Sequence, residues 1–164
     1  MNGNIRDKSP INTVYLGLGT NLGDKKKNIE EAFDKIEEQI GNIVSISALF
    51  ISKPQGYESD NLFVNCVVKI STGLSPRDIL EETQLIEREM GRNDKSDLIG
   101  YADRIIDIDI LLYNQLVVND TDLKIPHPHL QDRDFVLKPL SEIAYNLNHP
   151  VLNKTVSELL EDLG

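Results

Sequence analysis

The chain has 164 residues, of which 40% are hydrophobic and 27% charged, and its formal net charge is −10. This size suits one globular domain spanning 1–164, in which we expect 1–12 to be a flexible extension. The negative charge disfavours a nucleic-acid partner, and the lack of a signal peptide or of an apolar run of ~20 residues disfavours export or membrane insertion, so we expect a cytoplasmic protein.

The first half of the sequence alternates between strand and helix patterns. β-Branched and apolar runs predict strands at 13–18, 43–51 and 62–71. Apolar residues at helical spacing predict a helix over 24–40. A second helix is predicted from Pro76 to Met90, because Ser75 can cap it and proline suits the first helical position. Between the second and third strands, the turn-forming residues 52–61 predict a loop.

The second half begins with a polar loop over 92–103 and a fourth strand over 104–113. The short apolar piece 115–118 could extend the sheet, whereas the Pro- and His-rich segment 126–129 is predicted to be irregular. A helix is predicted over 135–145, and a capping box formed by Thr155 and Glu158 predicts a final short helix. The order of elements predicts an α+β, ferredoxin-like βαββαβ core with a mainly antiparallel sheet and extra C-terminal helices.

The fourth strand carries two aspartates, Asp107 and Asp109, on one face. Alternate side chains of a strand share a face, so Ile106, Ile108, Ile110 and Leu112 should form the opposite, apolar face. Aspartate is rare in strands, and two neighbouring carboxylates repel each other unless a partner such as Mg²⁺ compensates. The alternative is a solvated strand face with two ordinary acids, and this motif alone does not decide between them.

Several cations lie near this strand in the sequence. They are Arg92, Lys95, Arg104 and Arg133. Cations beside paired acids favour a site for a polyphosphate and a metal ion, although each arginine taken alone fits an ordinary surface charge.

Asn65 interrupts the apolar third strand, and Phe63 lies on the same face of that strand. A buried amide needs hydrogen-bond partners, which a flat heterocycle can provide while aromatic rings such as Phe63 and Phe135 stack on it. The alternative is an asparagine bonded to nearby backbone and two core phenylalanines. Taken alone, each of the three residues fits that structural role at least as well.

Three other features receive structural interpretations. The segment 17–21 matches no phosphate-binding loop and is interpreted as a tight strand-to-helix turn. Cys66, the single cysteine, is expected to be a buried hydrophobe. His127 and His129 have no cysteine or third histidine near them in sequence, which disfavours zinc, although His127 could donate a hydrogen bond to a phosphate.

Taken in order, the motifs resemble the 6-hydroxymethyl-7,8-dihydropterin pyrophosphokinase family, from Val14 to about Tyr145. The matching pieces are YLGLGTNL at 15–22, the loop 54–56, FVN at 63–65, QLIE at 84–87 followed by Gly91 and Arg92, RIIDIDIL at 104–111, IPHPH at 125–129 and RDFVL at 133–137. The strand RIIDIDIL followed by the later Pro-His and Arg-x-Phe motifs is specific as an ordered set.

The resemblance implies an ATP-dependent pyrophosphokinase of folate biosynthesis. Such an enzyme transfers pyrophosphate from ATP to the hydroxymethyl group of 6-hydroxymethyl-7,8-dihydropterin, and it releases AMP and the pterin diphosphate. It uses two Mg²⁺ ions, and we expect a monomer that binds only these small molecules.

The resemblance also implies site residues. The catalytic set is Arg92, Arg104, Asp107 and Asp109, of which Asp107 and Asp109 bind the metal ions. The pterin set is Ser52, Lys53, Pro54, Gln55, Phe63, Asn65 and Phe135. The ATP set is Gln84, Glu87, Arg92, Tyr101, Arg104, Ile110, His127 and Arg133.

The sequence departs from the family in three respects and leaves two rival functions. The loop core 93–97 is less basic than in many relatives, with Lys95 as its only cation. Tyr101-Ala102-Asp103 stands where the family often has Trp-Gly-Pro, and Lys53 stands where it often has a second proline. One rival is another metal-dependent phosphoryl or nucleotidyl transferase. The other is a non-enzymatic ferredoxin-like module that binds a small ligand.

Overall fold

The computed structural model describes residues 11–54, 61–91 and 105–164. Most of the expected N-terminal extension, residues 1–10, therefore lies outside the described residues, and Asn12 already belongs to the first strand. Five strands form the main sheet: β1 (Asn12–Thr20), β2 (Asn42–Ile46), β3 (Phe50–Ser52), β4 (Phe63–Thr72) and β5 (Asp107–Tyr113).

The sheet has the order β2-β4-β1-β5, and β3 also pairs with β4. All of these pairings are antiparallel. Helix α1 (Lys25–Gln39) follows β1, and helix α2 (Pro76–Glu89) follows β4. Apart from the short extra strand β3, the succession is βαββαβ with β1 and β4 at the centre of the sheet, which confirms the predicted ferredoxin-like core.

Helices cover both faces of the sheet. On one face, α1 and α2 bury apolar side chains such as Ile36 and Ile86 against Leu16 and Ile70 of the strands. On the other face lie α3 (Asp134–Ala144) and α4 (Val156–Leu163), whose Leu137 and Leu159 belong to a second core cluster with Val67. The strands therefore sit between two helical layers. None of the described helices has the length and apolarity required to cross a membrane.

The helix boundaries follow the capping residues that the sequence provides. The side chain of Ser75 accepts a hydrogen bond from the backbone N–H of Asp78, and Pro76 begins α2. Thr155 and Glu158 form the predicted capping box at the start of α4. These side chains satisfy backbone N–H groups that have no partner within the helix.

Two of the predicted strand boundaries were wrong. The predicted strand at 43–51 is divided into β2 and β3, because Ala48 donates its N–H to Glu142 of α3 instead of continuing the sheet. The segment 115–118 does not extend the main sheet. Val118 instead begins a separate hairpin formed by β6 (Val118–Asn119) and β7 (Lys124–Ile125).

One backbone prediction for β1 and one side-chain prediction for β5 were also wrong. Gly17 and Gly19 lie within β1, paired on both sides, and do not form a turn. Leu112 packs in the α3 and α4 cluster and not beside Ile108. The reason is a register irregularity, because Tyr15 pairs with Leu112 whereas the next residue, Leu16, pairs with Ile110. One extra residue in a strand moves the following side chains to the other face.

Cys66 confirms its structural interpretation. It lies in β4 beneath α1 and α2 and is 1% exposed. Burial raises the pKa of its thiol to about 12, so the thiol stays protonated at neutral pH and packs as a small apolar group.

Candidate active site

The two aspartates of β5 lie on the sheet face that is covered by α3. Asp107 pairs with Gly19 and Asp109 with Gly17, while Ile108 between them points into the core under α1 and α2. The prediction that both acids share one face is therefore confirmed. The side chain of Asp109 is 42% exposed, so this end of the face is open to solvent.

His127 approaches Asp109 from the segment after β7. Its backbone N–H donates to the carbonyl of Leu111, which holds the segment against β5. Its Nε2 lies 4.0 Å from Asp109 Oδ2, and its Nδ1 accepts a hydrogen bond from the N–H of His129. Because Nδ1 is an acceptor, the proton of the neutral ring lies on Nε2 and faces the acid.

The charge state of His127 follows from its surroundings. Burial, the charge of Arg133 and the charge of His129 lower the pKa of His127 to about 4. The ring is therefore neutral at pH 7, and its contact with Asp109 is that of a neutral N–H near a carboxylate, not an ion pair. A neutral donor in this place suits a phosphate oxygen without adding charge.

Glu87 of α2 holds β5 from the opposite side. It is 5% exposed, and its Oε2 accepts a hydrogen bond of 2.8 Å from the N–H of Ile108. Ile108 separates the two aspartates, so this bond fixes the backbone that carries both carboxylates. Gln84 lies exposed one helical turn earlier, and Ile110 is buried in the core.

Asn65 lies on the same face of the sheet as the acids. It is 6% exposed, and its Nδ2 donates to the carbonyl of Phe50 at 3.2 Å and to Ser52 Oγ at 2.8 Å. Both hydrogens of the amide are therefore used within the protein. The atom of Asn65 that remains for a ligand is Oδ1, which is a hydrogen-bond acceptor.

The start of α3 brings an aromatic ring and a cation together. The guanidinium carbon of Arg133 lies 5.7 Å from the ring centroid of Phe135, within the range of a cation–π contact. Phe135 packs at the edge of the second core cluster, against the face that carries Asn65 and the aspartates.

The sheet register connects the two halves of the site. Asn65 of β4, Gly19 of β1 and Asp107 of β5 pair directly and form one row across three strands. Two strand spacings separate Asn65 from Asp107, or about 10 Å. The proposed ring-binding residues and the paired acids therefore share one surface, which sequence spacing alone could not establish.

Comparisons with known proteins identify the family of this chain. The sequence model of the 7,8-dihydro-6-hydroxymethylpterin-pyrophosphokinase family matches residues 15–145. The chain belongs to this family. The 2-amino-4-hydroxy-6-hydroxymethyldihydropteridine pyrophosphokinase of Porphyromonas gingivalis is 44% identical over 132 residues, which are 80% of this chain and 90% of that protein.

Other relatives are longer than this chain. Folic acid synthesis protein FOL1 of Dictyostelium discoideum is 45% identical over 148 residues, which are 90% of this chain and 22% of FOL1. The solved Plasmodium falciparum HPPK-DHPS triple mutant has a TM-score of 0.77 and 20% identity, and the match covers 95% of this chain and 45% of that one. This structural match supports the fold alone.

The pyrophosphokinase family consists of ATP-using diphosphotransferases of folate synthesis. Membership confirms the family, the enzyme class and the pathway that the sequence predicted. It argues against the binding-module alternative.

Some of the site residues that were predicted for this chain lie outside the residues that the structure describes. They are Gln55, Arg92, Tyr101 and Arg104, together with the loop cation Lys95. Lys53 is exposed and Pro54 half-buried at the end of a described segment. Gly19 was not predicted to belong to the site, although it lies in the row between Asn65 and Asp107. Its signal was a glycine within a strand pattern, which usually marks a close approach of other atoms.

We expect Glu87→Ala to lower the free energy of unfolding by about 1–3 kcal/mol, because the buried N–H of Ile108 would lose its acceptor. Glu87→Gln keeps a side-chain oxygen and should restore most of this loss. Urea denaturation monitored by circular dichroism measures both. Glu89→Ala, which removes an exposed acid of the same helix, is the control. Equal losses for Glu87→Ala and Glu89→Ala would contradict a special role for Glu87.

Proposed function

We propose that this chain transfers the β,γ-diphosphate of ATP to the hydroxymethyl oxygen of 6-hydroxymethyl-7,8-dihydropterin on the face formed by β4, β1 and β5. The observation that carries this proposal is the row of Asn65, Gly19 and Asp107. It sets a buried amide oxygen and a pair of acids on one surface, about 10 Å apart. Family membership supports the two substrates.

The pterin ring would lie at the β4 end of this row. Asn65 Oδ1 would accept a hydrogen bond from a ring N–H or from the amino group of the pterin. Ser52 holds Asn65 in place through the 2.8 Å hydrogen bond. Phe63 of β4 and Phe135 of α3 would supply the apolar surfaces for the ring, and Lys53, Pro54 and Gln55 would border it.

The acids would serve the phosphates. No group of three or more His, Cys, Asp or Glu side chains in the described parts of the chain could hold a metal ion. Two carboxylates nevertheless fit Mg²⁺, which takes one or two protein acids and completes its shell with water and phosphate oxygens. We therefore propose that Asp107 and Asp109 hold two Mg²⁺ ions. When bound, such ions neutralise phosphate charge and align the reacting oxygens.

The residues around the acids would orient the triphosphate. The Nε2–H of His127 faces Asp109, and Arg133 stands beside Phe135. Both could donate to phosphate oxygens. Gln84, Glu87 and Ile110 lie along α2 and the side of β5 away from the pterin face, so we propose that the nucleoside part of ATP binds at this side of β5. Arg92, Tyr101 and Arg104 complete this proposed ATP set.

The reaction forms one bond and breaks one bond. The hydroxymethyl oxygen attacks the β-phosphorus, the bond from that phosphorus to the oxygen bridging it to the α-phosphorus breaks, AMP leaves, and the hydroxyl proton is released to solvent. Fixed positions of Asn65, Asp107 and Asp109 would hold the attacking oxygen near the β-phosphorus. Such positioning supplies much of the rate enhancement in phosphoryl transfer.

Calorimetric titration with α,β-methylene-ATP tests the ATP half of this proposal, because the methylene replaces the oxygen at which the chain would cleave. We expect binding that requires Mg²⁺ and that Asp107→Ala weakens. Binding that is equally strong in EDTA would contradict the assignment of the acids to the metal ions.

We also propose that the protein acts as a monomer in the cytoplasm, with small molecules as its only substrates. The net charge of −10 supports the absence of a nucleic-acid partner. Sedimentation equilibrium at micromolar concentration should give a mass near 18.5 kDa. A mass twice as large would contradict the monomer.

A further inference from the structure

Glycine is an unfavourable residue for strand stability at position 19. It lies inside β1 with β4 on one side and β5 on the other, where glycine usually weakens a strand. Its backbone does not require glycine, because the positive-φ glycines of the described residues are Gly23 and Gly91. The reason for glycine must therefore lie in the space around its Cα.

The atoms above Gly19 belong to the proposed pterin site. A Cβ atom at this position would lie 3.1 Å from Asn65 Oδ1 and 3.4 Å from Phe63 Cδ1. The distance to Asn65 is shorter than an ordinary van der Waals contact, and the distance to Phe63 is at the lower limit of such contacts. The three nearest atoms to such a methyl group are side-chain atoms of Asn65 and Phe63, so the missing side chain lets these two residues pack directly against the backbone of β1.

Other glycines of the chain differ in this respect. A Cβ at Gly41 would overlap the carbonyl oxygen of Ser71, so the backbone packing requires glycine at this position. The three nearest atoms to a Cβ at Gly17 belong to the Leu111 side chain, the first of them at 3.4 Å, which is ordinary contact. Of these three glycines in or beside the sheet, Gly19 alone has its space bounded by proposed ligand-binding side chains.

Asn65 cannot easily move away from an added methyl group. Its amide nitrogen is bonded to the carbonyl of Phe50 and to the hydroxyl of Ser52. A shift of a few tenths of an ångström at Oδ1 would stretch these two bonds or turn the amide plane. The oxygen that the proposed function assigns to the pterin would then be misplaced.

We propose that Gly19 is a positioning residue for the pterin, acting through the side chains of Asn65 and Phe63. This inference rests on the proposed function, since it names what sets the geometry of the same site. Gly19 makes no proposed contact with ATP, so a methyl group added at this position should weaken the binding of the pterin and not that of ATP.

Gly19→Ala tests this inference, with Gly17→Ala as the matched control two residues away in the same strand. The dissociation constants for 6-hydroxymethyl-7,8-dihydropterin and for α,β-methylene-ATP with Mg²⁺ are measured by calorimetry, each with the other ligand present. We expect Gly19→Ala to weaken pterin binding about tenfold or more, because sites require positions within about 0.5 Å, and to change nucleotide binding by less than about threefold. Gly17→Ala should change neither.

A thermal melt and a double variant separate this role from a general effect on the strand. Alanine suits a strand interior better than glycine, which offsets part of the strain at Asn65, so Gly19→Ala should lower the Tm by no more than Asn65→Ala does. In the Asn65→Ala background, Gly19→Ala should cause little further loss of pterin affinity, since the residue that it displaces is gone. If Gly19→Ala weakens pterin binding by the same factor in the Asn65→Ala background as in the wild type, the inference is overturned.

The outcomes distinguish this inference from the proposed function. If the wild-type protein binds no pterin, the proposed function fails and the inference fails with it. If the wild type binds pterin and Gly19→Ala binds it equally well, the proposed function stands and the inference is wrong. An unfolded Gly19→Ala, or equal losses for both ligands, would mean that the fold requires this glycine, which also overturns the inference.

Discussion

Replacing Asp107 or Asp109 with alanine should lower pterin-dependent AMP formation by on the order of 10³-fold or more. Each variant would lose one of the two carboxylates proposed to hold Mg²⁺ beside the phosphates. The measurement is a steady-state rate of AMP release at saturating Mg²⁺ and ATP. Retention of full activity in both variants would contradict the metal assignment.

These aspartate variants should fold as well as the wild type. Asp109 is well exposed, and aspartate is unfavourable in strands, where two acids on one face repel each other. The Tm should therefore remain unchanged or rise, which separates a catalytic loss from a structural one. Asp120→Ala is the control, since Asp120 is an exposed acid in an ion pair with Arg77, and such pairs contribute little. It should leave the rate unchanged.

Asn65→Ala should raise the KM for the pterin about 10- to 100-fold and leave the KM for ATP nearly unchanged. The variant removes the Oδ1 acceptor, and a lost hydrogen bond in a buried site is worth about 1–3 kcal/mol, where 1.4 kcal/mol is a factor of ten. Initial rates with each substrate varied in turn give the two values. Equal increases in both would contradict the role of Asn65 in binding the ring.

A stability effect should accompany the Asn65 change, because the carbonyl of Phe50 loses a donor. Asn28→Ala is a matched control, since the amide of Asn28 also donates two hydrogen bonds, to Thr20 and to the carbonyl of Leu22. Both variants should lower the free energy of unfolding, by about 1 kcal/mol or more. Only Asn65→Ala should change the ratio of the two KM values.

The fold was largely predictable because its signals are local. Apolar periodicity identified α1 and α2, and the caps at Ser75 and Thr155 marked where helices begin. The division between β2 and β3 was not predictable, because it depends on Glu142 from a distant helix. The orientation of Leu112 likewise depends on a register irregularity that is set by the pairing of β5 with β1.

The site was predictable in its residue types and less so in its arrangement. Alternation along β5 was enough to place Asp107 and Asp109 on one face. The row that joins Asn65 to Asp107 depends on the register of three strands, which no single segment encodes. The use of both amide hydrogens of Asn65 depends on Phe50 and Ser52, which reach it only after β3 pairs with β4.

The most direct test of this account is an analysis of the products of the complete reaction. The protein is mixed with ATP, Mg²⁺ and 6-hydroxymethyl-7,8-dihydropterin, and the nucleotides and pterins are separated by chromatography and identified by phosphorus NMR. The account predicts AMP and the pterin diphosphate in equal amounts, each formed only when both substrates are present. ADP with a pterin monophosphate, or no pterin-dependent product from folded protein, would contradict it.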